Sequence, residues 1–223
     1  MLIYQVKCIY TCHPFYTVTM SRFVYTFIRC CIAAVMGLCL SLPLTAGVTI
    51  SKDPDTALIG WKLNQGGFEL ELIQRLPDQT RAFFLARGFS PKVANDIALA
   101  CVFQGIGRNT LKASEANSIS VDLREWQLTS KGKNHSIKQK EQWEAEWSGA
   151  DVARSSRLAY RWATFPTQQT YEPVGDYNWG MISFNLPPGT RFDVLVRWTL
   201  NGKPQQAWVR DVACAKDIHP EPQ

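Results

Sequence analysis

The sequence predicts an α+β fold: a helical pair packed on an antiparallel β-sheet or small β-sandwich, in a single domain. Three observations carry this. Two helix starts lie close together, at Pro77 and at Ser90-Pro91. From Ile119 onward apolar residues recur with a period of two, as half-buried strands require. Near the C-terminus Asn201-Gly202 separates two alternating runs, a strong hairpin signal because both central positions of a type I′ turn need positive φ. Helices and strands come in blocks rather than in alternation, which favours α+β over a parallel sheet.

Taken in order, residues 1–46 read as a secretory leader and stand apart from the fold. They contain no Asp or Glu, and their charges are Lys7, Arg22 and Arg29. The run CCIAAVMGLCLSLPL, from Cys30 to Leu44, is apolar apart from one Ser, and Thr45, Ala46 and Gly47 follow it. Basic flank, apolar run and small residues are the three parts of a signal, in the order clearest if translation starts at Met20. Cleavage after Ala46 leaves Leu44 three places before the cut; cleavage after Gly47 puts Thr45 there. The alternative is a membrane anchor over residues 23–44, since about 20 apolar residues span a bilayer. Arg29 interrupts that stretch and Pro43 closes it, so cleavage and a periplasmic or secreted protein are favoured. Cys39 follows the bulky Leu38, which argues against a lipid-modified cysteine.

Removing the leader changes the composition. Five of seven cysteines go with it, leaving Cys101 and Cys214. Losing Lys7, Arg22 and Arg29 leaves 21 basic against 19 acidic residues, a net charge of +2 rather than +5. A nucleic-acid-binding chain keeps a larger positive surplus, so no nucleic-acid partner is expected. Two cysteines in an oxidising compartment are expected to pair. Neither a redox pair nor a thiolate metal site is favoured, because the close Cys-x-x-Cys spacing is absent.

The remaining elements follow along the chain. Ala57–Leu63 reads as a short strand before Gly66-Gly67. Pro77 opens a helix carrying Phe83 and Phe84, and Gly88 ends it. Ser90-Pro91 opens a second, with Val93, Ile97, Ala100 and Cys101 on one face, ending before Gly105 and Gly107. Phe89 between them plugs the core. Ile119 to about Leu128 reads as one strand and Ser130 to His135 as a polar turn. In Lys138–Trp147 a helix places Trp143 and Trp147 on one face. Residues 157–165 fit helix or strand, with helix favoured. Strands over 179–186, 192–200 and 206–214 then form an antiparallel meander, with Trp208, Arg210 and Val212 sharing a face. The domain spans 47–215, and 216–223 reads as a disordered tail.

Catalytic chemistry finds few candidates. His135 lies in a Lys-rich turn and His219 in the tail, so a Ser-His-Asp arrangement lacks a suitable base. Met181 is the one methionine after the leader, and neither Glu141, Glu144 and Glu146 nor Asp53 and Asp55 have calcium-loop spacing, so no metal and no cofactor is expected. Gly105-Ile106-Gly107 lacks the rest of a phosphate loop. Lys131, Lys133, Lys138 and Lys140 form a basic run that reads as a solvated hairpin tip. Asp176, Asp193, Asp211, Glu69 and Glu71 are the carboxylates from which a glycoside-hydrolase pair could be drawn. All eight tryptophans lie beyond the leader, with Trp198 in a core pattern. Trp143 and Trp147 sit in an otherwise charged stretch, where they either pack on the protein's own sheet or face a ligand or partner.

The expected function is therefore an exported, non-enzymatic accessory or binding protein with an aromatic-rich surface. Its partner would be an envelope protein or a small apolar or sugar ligand. The alternatives are a carboxylate-based hydrolase acting on envelope polysaccharide, and a thiol-redox or metal-handling helper using Cys101 and Cys214.

Overall fold

A computed structural model of the chain describes residues 47–113, 117–147 and 152–218, all belonging to one unit. The leader, the anchor reading of residues 23–44, and His219 with the end of the tail lie outside the described residues.

Where the sequence marks one strand before residue 75, the structure has three. β1 (Gly47–Lys52) pairs along β2 (Ile59–Gln65), and Gly66-Gly67, both with positive φ, turn the chain into β3 (Phe68–Gln74). Phe68, Leu70 and Leu72 are buried while Glu69 and Glu71 lie on the other face, a period-two pattern. α1 (Pro77–Leu85) and α2 (Pro91–Ala98) begin where their prolines place them, and Ser90 Oγ accepts a hydrogen bond from the Val93 N–H. α2 ends earlier than its apolar face suggests. Cys101 takes a φ of 53°, and the chain enters β4 (Val102–Asn109) at once. Gly105 and Gly107 lie inside that strand instead of ending a helix. A Cβ on Gly105 would meet Ile182 at 2.6 Å, and one on Gly107 would meet the Tyr171 hydroxyl at 2.6 Å.

The strand expected over Ile119–Leu128 is broken in two. β5 (Ile119–Asp122) and β6 (Gln127–Ser130) both pair with β10 (Arg191–Leu200), separated by a 3-10 turn at Leu123–Glu125. Asp122 caps that turn through the Arg124 N–H, a local bond that competes with the sheet ladder. β7 (Lys133–His135) completes a hairpin with β6. α3 (Lys140–Trp147) and α4 (Arg154–Ala163) follow, so residues 157–163 are helical. β8 (Gln168–Tyr171) pairs with β5 and carries no clear sequence signal. β9 (Tyr177–Ser183) pairs with β4, while β10 and β11 (Lys203–Ala213) form the Asn201-Gly202 hairpin. The last three strands are thus no meander, because β9 belongs to the other sheet.

The two antiparallel sheets run β1-β2-β3-β4-β9 and β7-β6-β10-β5-β8, with β11 also on β10. They pack face to face: Phe68 meets Trp198 at 5.3 Å and Phe103 meets Phe192 at 6.2 Å between ring centroids. A bulge shifts the register after Phe192, and Asp211 takes a φ of 55°. The bulge switches the inward face of β11: Ala207 and Val209 point in before it, Val212 and Cys214 after it. Trp208 and Arg210 therefore do not share a face with Val212. The disulfide joins Cys101 to Cys214, with Cα atoms 5.2 Å apart, and ties the start of β4 to the end of β11. Beside it Gln74 bridges the sheets, accepting from the Ile59 N–H and donating to the Ala213 carbonyl. Asp217, in the tail read as unstructured, forms a two-point pair with Arg81 of α1.

Candidate functional site

The outer face of the first sheet carries a second core, built with the helices. Phe84, Phe89, Ile97, Tyr160 and Met181 belong to it, and so do Trp143 and Trp147. Trp147 meets Tyr160 at 4.7 Å and Phe89 at 5.3 Å, and the two tryptophans are 3% and 4% exposed. An eight-residue helix is stable only through what it buries, and in α3 those two rings are the whole buried face. This withdraws Trp143 and Trp147 as an exposed binding surface. A hollow lined by Lys92, Asp96, Glu146 and Pro187 touches both rings, but its charges are already paired, Lys92 with Asp96 and Lys138 with Glu146. Lys138 Nζ also lies 3.4 Å from the Trp143 ring centroid. Burial, with Glu144 nearby, holds the Tyr160 hydroxyl well above the usual tyrosine range.

The exposed aromatic surface lies elsewhere, on α4 and β9. Trp162 is 80% exposed, Trp179 59%, Tyr177 57% and Leu158 52%. The same periodicities that bury Ser156 and Tyr160 of α4 turn Leu158 and Trp162 outward. On β9, Gly180 and Ile182 face the sandwich, so Tyr177, Trp179 and Met181 lie on the opposite face. The two elements are held together at Gly180, where the Phe165 N–H donates to the Met181 carbonyl. A second tie joins Arg161 of α4 to Glu144 of α3.

Between α1, α4 and this sheet face runs a groove of about 530 Å³. Met181 and Gln104 form its floor, Phe83 and Arg87 one wall, and Leu158, Ala159 and Trp162 the other, with Trp179 beside them. Its volume falls in the range of about 300–1,000 Å³ typical of small-molecule sites. Arg75, in the link between β3 and α1, also lines it. The Arg75 Nε is buried without a hydrogen-bond partner, and burial pulls its guanidinium below the usual arginine range. Arg87 lies 3.3 Å from the Phe83 ring centroid and donates to the Phe83 carbonyl; Arg75 approaches the same ring at 5.8 Å. Among the described residues neither arginine forms an ion pair.

The carboxylates singled out by sequence lie apart from this groove. Asp193 pairs with Arg210 and Asp211 with Arg191, both at 2.7 Å. Burial works to raise the Asp193 pKa, but the Asp211 N–H and Arg210 outweigh it and hold it below the usual range, the opposite of what a general acid needs. Glu69 pairs with Lys62 and Arg108, and Asp176 accepts from the Glu172 N–H. Glu71 faces outward on β3, opposite Lys62 and Ile106. Lys131, Lys133 and His135 are exposed around the β6–β7 hairpin. Among the described residues, no three His, Cys, Asp or Glu side chains converge in metal-binding geometry. No helix among the described residues is long and apolar enough to cross a membrane.

The groove is the feature that sequence reasoning missed. Trp162 and Leu158 at i, i+4 give a signal for one face of α4, but which face is covered depends on where α3 docks. No family model, curated protein or solved structure matches this chain.

Proposed function

We propose that this is an exported, non-enzymatic binding protein that holds the apolar part of a small ligand in the groove between α1, α4 and the first sheet. One observation carries the reading: Trp162, Trp179 and Leu158 are exposed together beside a concave, mostly apolar surface. Isolated exposed hydrophobics are ordinary, whereas a clustered set beside a cleft marks a binding surface. A sugar ligand suits it less well, because the lining has few hydrogen-bonding groups beyond Gln104, Ser155 and the arginines. Export is supported by the leader order before Gly47 and by the Cys101–Cys214 disulfide, which suits an oxidising compartment.

The test uses N-phenyl-1-naphthylamine, a neutral apolar dye that brightens when it leaves water. Wild type is expected to enhance its fluorescence, with Trp162→Ala and Trp179→Ala each reducing the affinity. Equal enhancement by the wild type and the double variant would remove the groove from consideration. Export is checked separately by mass spectrometry of the protein isolated from its host. The expected chain starts at Gly47 or Val48 and is two hydrogens lighter than the dithiol form.

A further inference from the structure

The groove has one feature that its apolar walls do not explain. Arg75 is half-buried at its margin, its backbone fixed by the N–H bond to the Val102 carbonyl, and its Nε lies buried without an acceptor. A guanidinium cannot shed its proton in a protein, so a partly desolvated one is stable only when something supplies negative charge or acceptors. No acidic residue lines the groove. Arg87 adds a second cation on the same ring of Phe83, and Arg154 and Arg157 lie on α4 without ion-pair partners among the described residues. This end of the molecule is cationic and apolar at once.

Resting on the groove reading above, we propose that the ligand is an amphiphile with a carboxylate head, a free alkyl carboxylate. The head pairs with Arg75, and the chain lies over Met181 and Leu158 towards Trp162 and Trp179. A carboxylate presents two oxygens to the N–H donors of the guanidinium's two terminal nitrogens, which, unlike Nε, are not buried, and it offsets the charge held at the groove margin. Arg87 is exposed and already donates to the Phe83 carbonyl, so the half-buried Arg75 is the cation that a head in the groove meets, and it matches a single negative charge. A neutral head would leave the cation unpaired, and a cationic head would be repelled.

Dodecanoate, dodecanol and dodecyl phosphate are compared as competitors that displace N-phenyl-1-naphthylamine from the protein made as the full chain. Dodecanoate is expected to displace the dye at about tenfold lower concentration than dodecanol, as befits a charge-assisted hydrogen bond. Arg75→Gln is expected to abolish the preference for dodecanoate over dodecanol, read as the ratio of their displacing concentrations, and Arg75→Lys to recover part of it. Equal displacement by dodecanoate and dodecanol in wild type would overturn the proposal, and this comparison needs no variant to fold. A preference that survives Arg75→Gln, or tighter binding of dodecyl phosphate, would overturn it too. In each of those cases dye binding itself still stands, so the groove reading survives. Failure of the dye and all three competitors to bind would remove both.

Discussion

A side chain at position 180 has no room: an added Cβ would lie 2.3 Å from the Phe165 backbone nitrogen. Gly180→Ala must therefore push the α4–β8 connection off β9 at the Thr164–Met181 bridge, which lies next to the groove floor. The expected loss is about 2–3 kcal/mol in denaturant unfolding, the upper part of the overpacking range, because backbone rather than a side chain must yield. Asp122 is a second residue with a readable role. The Arg124 guanidinium beside it, with the Arg124 and Gln168 N–H groups, outweighs burial and lowers its pKa from 3.8 to about 2. The folded value lies below the unfolded one, so its contribution is complete above the unfolded pKa and disappears as pH falls through about 2. Comparing wild type with Asp122→Asn at pH 6 and pH 2 should show a difference of at most about 1 kcal/mol at pH 6, since the pair is partly solvated, and only a small fraction of it at pH 2, where the carboxyl is half protonated.

At the scale of the element, α3 and α4 divide the tryptophans between core and surface. Trp147 packs edge-on against Tyr160 and Phe89, whereas Trp162, on the helix next in sequence, is 80% exposed. Trp147→Ala should cost about 3–5 kcal/mol, the usual range for emptying a large aromatic site. Trp162→Ala should change stability by less than about 0.5 kcal/mol. Paired urea titrations of the two variants check this, and a large loss for Trp162→Ala would show that it is packed. The hairpin between β10 and β11 was legible from Asn201-Gly202 because positive φ at both residues is a local steric demand, and the observed values are 49° and 73°. β4 was not legible. Its glycines signal a helix end by local rules, yet they are glycines because Ile182, Phe165 and Tyr171 press on them from other parts of the chain.

For the whole molecule, the disulfide is the long-range constraint. It closes a loop of 113 residues and links the first sheet to the last strand of the second. Removing it should lower stability by about 4–5 kcal/mol if loop entropy dominates. Unfolding followed with and without reductant, and on Cys101→Ala with Cys214→Ala, measures that loss. A change under about 1 kcal/mol would show that the Gln74 bridge and the sandwich core already hold the sheets together. The two cores predict different sensitivities: one joins sheet to sheet, and the other joins helices to the outer face that carries the groove.

What the sequence determined by itself is what local chemistry dictates: the helix starts at Pro77 and Pro91, the hairpin at Asn201-Gly202, the α+β class, and the pairing of the two cysteines left beyond residue 46. Each follows from the preferences of a few neighbouring residues or from a count. Only the tertiary structure decided that β9 joins β4 rather than β10, that the Arg210–Asp211 bulge reverses the face of β11, and that Trp143 and Trp147 go inside while Trp162 and Trp179 stay out. The reason is physical: a periodic pattern shows that an element has two faces, but which partner covers each is settled by contacts between residues distant in the chain.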